Sequence, residues 1–288
     1  MRGKTCLVTG ANAGIGKETV VGLAARGARV LMVCRHRGRG EEAVEEVESR
    51  VPGAVPDLLL ADLSSLRQVR GLVEDVKGRA DRLDVLVSNA GVFGARRRMT
   101  EDGFERTFAV NHLAPFVLVR GLLELLRRSA PARVVVVASA AHFHGTIAFD
   151  DLHAEKRRYG GWRAYSQSKL ANVLFAAELA RRVRADEVSA NSLHPGVVAT
   201  KLLLRGLVPR WLARPWTITP EEGARTPLYL ATSPDVEGVS GRYFEDCEPR
   251  EPSAEAQDAG VASRLWTASR RLEERAMDEC KPGETGVI

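Results

Sequence analysis

The sequence predicts an α/β fold built on one doubly wound parallel sheet of about seven strands, with helices on both faces. Short apolar runs alternate with longer amphipathic stretches along most of the chain, the pattern of strand–helix–strand crossovers. The early runs are nearly continuous in apolar residues, as in Val134-Val135-Val136-Val137, which suits strands covered on both faces. A glycine-rich turn joins the first run to the first helical stretch.

Strands are expected at residues 5–8, 30–33, 58–60, 85–87, 134–137, 189–192 and 242–244, with helices filling most gaps. The first ends in Thr9-Gly10-Ala11-Asn12-Ala13-Gly14-Ile15-Gly16, ahead of a helix-like stretch over 17–25. Strand, glycine turn and helix in that order mark a Rossmann-type dinucleotide site. Gly10 permits the tight turn, and the later glycines let backbone and helix N-terminus approach a pyrophosphate. A purely structural turn is the competing reading. Ligands of such sheets bind beyond the carboxyl ends of the strands, where Gly10, Cys34, Asp62, Asn89, Ser139 and Pro195 all fall.

Tyr165 and Lys169 lie four apart in Ala164-Tyr165-Ser166-Gln167-Ser168-Lys169-Leu170, hence on one helix face. A cation held near a phenol favours the phenolate and lowers its pKa, so the pair reads as a proton-transfer unit. By itself the spacing fits a solvated lysine beside a half-buried ring equally well.

The glycine spacing, together with Asn89-Ala90-Gly91, Asn111, Ser139, Tyr165, Lys169 and Pro195-Gly196, resembles the short-chain dehydrogenase/reductase family from near residue 4 to about residue 245. The wording of Asn111-His112-Leu113-Ala114-Pro115-Phe116, of residues 133–142 and of Ser240-Gly241-Arg242-Tyr243-Phe244 is similar to its retinol dehydrogenase group. The resemblance implies hydride transfer between a nicotinamide and a carbonyl or alcohol carbon. It makes Tyr165 the acid in reduction and the base in oxidation. Lys169 holds the nicotinamide ribose and lowers the tyrosine pKa, Ser139 donates to the substrate oxygen, and Asn111 holds a water linking Lys169 to solvent. The cofactor would be held by Gly10, Asn12, Gly14, Ile15 and Gly16, by Asp62 and Leu63 at the adenine, and by Asn89, Ala90 and Gly91 beside the ribose. Pro195, Gly196, Val197 and Thr200 would hold the nicotinamide end. Ser88 and Val136 depart from the family, which often has asparagine at both positions.

Cofactor choice is legible after the second strand. An NAD site usually places a carboxylate there, whereas this chain has Cys34-Arg35-His36-Arg37. A guanidinium can bind a 2′-phosphate that a carboxylate would repel, so NADP(H) is expected, with Arg35 as main contact and Arg37 or Arg39 assisting. Arginines merely exposed on the surface are the alternative.

The 288 residues, 44% hydrophobic and 27% charged, can bury one sizeable core. One domain over 1–288 is expected, with its core at about 4–245 and an extension over 246–288 comprising a helix and a loose tail. The net charge of +5 is dispersed among 37 acidic residues without a nucleic-acid motif, so no nucleic-acid partner is expected. No uninterrupted apolar run approaches the roughly 18 residues that span a bilayer. A cytoplasmic location is expected, with peripheral membrane contact open and the family's N-terminal anchor absent from this sequence. The four cysteines form no metal-ligand spacing and His142 and His144 have no obvious co-ligand, so no metal is expected.

The leucines and tryptophans of 201–216 would form either an apolar lid or ordinary core packing. A small apolar alcohol or carbonyl is the expected substrate, with retinaldehyde or retinol the family-based choice. A non-catalytic NADP(H) sensor or scaffold is the alternative function. Homodimerisation is left open: Leu170, Ala171, Val173, Leu174 and Phe175 suit a buried helix or a paired one.

Overall fold

The computed structural model describes residues 1–197 and 218–278. Its centre is an eight-stranded sheet in the order β3-β2-β1-β4-β5-β6-β7-β8. The strands are β1 (Thr5–Thr9), β2 (Arg29–Cys34), β3 (Asp57–Leu60), β4 (Val85–Ser88), β5 (Ala132–Val137), β6 (Val188–His194), β7 (Tyr243–Glu245) and β8 (Glu248–Arg250). All seven expected strands are present and parallel. The eighth, within the extension expected to hold only a helix and a tail, pairs antiparallel with β7 at the sheet edge. Asp246 and Cys247 join the two with φ of 51° and 64°. Two consecutive left-handed residues match the twist of a hairpin, but glycine or asparagine usually supplies them, so this turn carried no obvious signal.

Alternation along each strand divides the core in two. Cys6, Val8, Val30, Met32, Val85 and Val87 face helices α1 (Gly14–Ala25) and α2 (Arg37–Arg50). Leu7, Leu31, Leu59, Leu86 and Val134 face the opposite layer. That layer holds α3 (Leu66–Arg79), the long helix α4 (Arg106–Arg128) and α5 (Gly161–Arg182). The period of two in strand side chains produces this division. Among the described residues α4 is the one helix long and apolar enough to cross a membrane, and most of its apolar stretch is buried against the sheet and its neighbours. Its length escapes a search for uninterrupted apolar runs because Arg120 and polar residues break it.

After the short helices α6 (Pro220–Gly223), α7 (Arg225–Thr232) and α8 (Ala254–Gln257), the chain ends its described part in α9 (Ala259–Asp278). This helix lies across α4 and α5. Trp266 meets Phe116 edge-on at 5.0 Å and stacks on Phe175 at 5.9 Å, while the Arg182 guanidinium covers its ring at 4.6 Å. His112 shares a hydrogen bond of 2.8 Å with Ser269, and Arg120 pairs with Glu273. The apolar residues of α5 left open between core and subunit pairing are thus covered within the chain.

Two predictions follow from this packing. Trp266→Ala is expected to destabilise the fold by ~3–5 kcal/mol, read from urea unfolding, because the ring fills the space between two phenylalanines. Burial pushes His112 down to about 3 and His194 down to about 4, so both stay neutral in the folded chain while the unfolded chain binds their protons below about 6.5. Their contribution is therefore complete above about pH 6.5 and is lost as pH falls toward 4 and then 3, at up to ~1.4 kcal/mol per pH unit for each histidine. Unfolding curves collected from pH 7 downward test this sign.

Candidate functional site

Every parallel strand delivers its carboxyl end to one edge of the sheet, and the candidate residues gather there. Gly10 and Gly14 adopt φ of 65° and 56°, conformations that a β-carbon disfavours. At Gly16 a β-carbon would lie 2.3 Å from the Gly10 carbonyl oxygen and 2.4 Å from Asn89 Nδ2, so only glycine lets α1 approach the strand ends this closely. Asn89 Nδ2 donates to the Thr9 carbonyl at 2.8 Å, and Thr9 Oγ1 accepts the Asn89 and Ala90 N–H groups, each at 3.0 Å. The turn is thereby tied to the end of β4. Asn12 and Ile15 are half-buried in the same turn. No side chain caps α1 and its first turn holds no acid, so its N-terminal N–H groups and dipole suit a phosphate. This cradle fits the dinucleotide expected from the glycine spacing.

At the end of β2, Arg35 lies 3.8 Å from Asp62 and keeps much of its surface exposed, whereas Arg37 pairs with Glu41 on its own helix at 3.6 Å. Asp62 Oδ1 accepts the N–H and hydroxyl of Ser64 at 2.9 and 2.7 Å. These bonds hold its carboxyl below the usual range against the opposing effect of burial, with Arg35 adding to them. Asp62 is not a helix cap: α3 starts at Leu66, and Ser65 is its N-cap. Leu63 packs in the core.

The second half of the site surrounds α5. Lys169 is 3% exposed, and its ammonium donates to the Val137 carbonyl at 2.9 Å. A β-carbon at Gly91 would lie 3.5 Å from Lys169 Nζ and 3.6 Å from Asn111 Oδ1, which brings the ends of β4, α4 and α5 together. Asn111 sits within a π-turn over Ala109–Leu113, the widened turn that often marks a functional position. Its side chain accepts from Val92 N at 2.7 Å and donates to Val92 O at 3.0 Å and Ser168 Oγ at 2.9 Å. Ser168 in turn donates to the Tyr165 carbonyl at 2.7 Å.

Burial pushes the Tyr165 phenol up to about 12, and the Ser139 side chain opposes the rise; the lowering expected from Lys169 has no share in this balance. The ammonium lies 5.7 Å from the ring centroid and is aimed at the strand end. Burial also brings Lys169 down to about 8, so its charge is itself weakened.

Aromatic groups border the phenol: Phe93 lies edge-on to Tyr165 at 5.9 Å and Trp162 at 6.2 Å. Phe143 and Trp162 are each 49% exposed, and Val197 is exposed on the loop that follows β6. On that loop Gly196 has φ 86°, and Val197 O accepts from Ile218 N at 2.9 Å. Pro195, Gly196 and Val197 thus close the cleft side of β6, while Thr200 and the 201–216 lid expectation lie outside the described residues. The sequence motifs assigned no role to Thr9 or Ser168. The first directly precedes Gly10 and the second lies one turn from Tyr165, so proximity to a motif was the available signal.

Comparison with known proteins agrees with this geometry. The family model for short chain dehydrogenases matches residues 4–205. The chain is 48% identical over 287 residues to retinol dehydrogenase 14 of Mus musculus, covering 93% of this chain and 85% of that protein. It is 44% identical to dehydrogenase/reductase SDR family member 13 of Homo sapiens, covering 94% and 74%. Among solved structures, an uncharacterized protein from Mycobacterium paratuberculosis superposes with a TM-score of 0.77 at 34% identity, covering 95% of this chain and 94% of that one. The Pseudomonas aeruginosa RhlG/NADP active-site complex has a TM-score of 0.69 at 26% identity, covering 91% and 97%. A glycine cradle, a buried lysine beside a tyrosine, and an extended match to the family model together make this chain a member of the short-chain dehydrogenase/reductase family of oxidoreductases.

Proposed function

We propose that the protein is an NADP(H)-dependent oxidoreductase that interconverts an apolar alcohol and its carbonyl. The observation that carries the reading is the convergence of Ser139, Tyr165, Lys169 and Asn111 beside the glycine cradle. When bound, the nicotinamide supplies or accepts the hydride. The chain's own task is to orient the substrate and manage one proton.

Tyr165 is the proton donor in reduction. A phenol held up at about 12 is fully protonated at neutral pH, which suits that direction. Ser139 Oγ accepts from Ala141 N at 3.2 Å, so its own proton is available to the substrate oxygen as charge develops there. Lys169 would hold the nicotinamide ribose. Asn111, in the widened turn beside Lys169, would hold a water on the path from that ammonium to solvent.

Arg35 favours NADPH over NADH. Its exposed contact with Asp62 is long and weak, which leaves the guanidinium available to a 2′-phosphate. The NADP-bound RhlG structure supports the same choice. For the substrate, support comes from the half-buried Phe93 and the exposed Trp162 and Phe143, and from similarity to proteins named retinol dehydrogenases. All-trans-retinaldehyde is therefore the first substrate to test.

The test follows NADPH consumption by purified protein with retinaldehyde in detergent micelles, beside NADH and a panel of simpler aldehydes. NADPH-selective turnover is expected, and Tyr165→Phe should lower it about 10²–10⁴-fold while NADPH binding persists. Arg35→Ser should weaken NADPH binding about ten- to hundred-fold and leave NADH nearly unchanged. Tight NADPH binding with no turnover across the panel would replace the enzyme reading with a sensor or scaffold.

A further inference from the structure

The turn that follows β5 contains a buried imidazole with no part in the roles above. His142 is wholly buried, and its ring Nδ1 lies 2.8 Å from the Ser139 carbonyl oxygen, which can only accept. On the opposite side the Ser253 N–H, which can only donate, lies 3.1 Å from Nε2. Those two partners dictate one neutral tautomer with the hydrogen on Nδ1. Tyr243 and Phe143 pack on the ring at 4.7 and 4.1 Å, so it has little freedom to rotate.

The Ser139 carbonyl also accepts the backbone N–H of His142, at 3.0 Å, so one residue grips it twice. Ser139 is the N-cap of the 3-10 turn over Ala140–His144 and holds an extended backbone there. Fixing its carbonyl fixes the peptide plane, and the capping bond from Ala141 N to Ser139 Oγ at 3.2 Å holds the hydroxyl on that fixed backbone. The bracing on the far side comes from the segment entering α8. Ser253 fastens the ring, and Glu255 Oε1 accepts the N–H of Ile147 at 2.8 Å. The C-terminal extension is thereby clamped at two points to the turn carrying Ser139.

We infer that His142 is a positioning residue that holds the Ser139 hydroxyl toward Tyr165, and that residues 253–255 brace it from behind. The inference rests on the oxidoreductase reading of Ser139 and Tyr165. It makes the C-terminal extension part of the support of the catalytic strand end.

The test compares His142→Gln with His142→Asn in the full chain. An asparagine amide nitrogen occupies roughly the place of Nδ1 and can still donate to the Ser139 carbonyl. Glutamine carries its amide to the place of Nε2 and leaves that carbonyl with its backbone partner alone. His142→Gln is expected to lower kcat about ten- to hundred-fold with NADPH affinity unchanged, and His142→Asn to recover most of it. In the direction of alcohol oxidation, the pH of half-maximal rate should rise in His142→Gln, because a displaced Ser139 side chain no longer opposes the rise of the Tyr165 pKa. An active wild type with His142→Gln indistinguishable in rate and pH profile overturns the inference. So does equal impairment of both variants with weakened NADPH binding, which would mark the ring as packing only. A wild type that binds NADPH and turns over nothing overturns the oxidoreductase reading, and the positioning role with it.

Discussion

Because both faces of the parallel sheet are packed mostly with apolar side chains, the strand ends are where most of its polar groups can gather. Cys6, Val8, Met32 and Val87 close one face, and Leu7, Leu31 and Leu86 the other. Parallel pairing aligns the carboxyl ends of β1, β4, β5 and β6 along one edge. Residues as far apart in sequence as Gly10, Gly91, Ser139 and Pro195 therefore lie along one edge of the sheet. The glycine at 16 sharpens this constraint: with no β-carbon, α1 can seat its N-terminus against the Thr9–Asn89 bonds and present its N–H groups to the edge.

The same packing sets the electrostatics of the catalytic half. Lys169, His112 and His194 are buried, and all three shift toward the neutral form, at His194 against the opposing charge of Asp246. Tyr165 shifts toward the protonated form for the same reason. A phenol that keeps its proton at neutral pH suits the proposed donation to a carbonyl oxygen. A bound cofactor would bring its own charge and partners to this edge, so the burial that raises the phenol also magnifies each added hydrogen bond.

The C-terminal extension supports this edge from the opposite side. Its helix α9 covers α4 and α5 with Trp266, while Ser253 and Glu255 fasten the turn behind Ser139. Packing and hydrogen bonding here serve one mechanical end, since α4 carries Asn111, α5 carries Tyr165 and Lys169, and the turn carries Ser139. The extension joins the three.

By itself the sequence determined the parallel sheet, the glycine cradle and the residues that occupy its edge. Those features repeat over short distances: strand runs read as consecutive valines and leucines, and Gly10 to Gly16 and Tyr165 to Lys169 each span only a turn or two. The tertiary structure alone decided the rest. The hairpin over Asp246 and Cys247 depends on the edge of β7, because neither residue announces its left-handed backbone. The direction of Lys169 depends on the Val137 carbonyl, 32 residues away, and the tautomer of His142 on Ser253, 111 residues away. A residue's type limits what it can donate or accept, but its partner, and with it its charge and orientation, is set by whichever distant chain folding brings within hydrogen-bond reach.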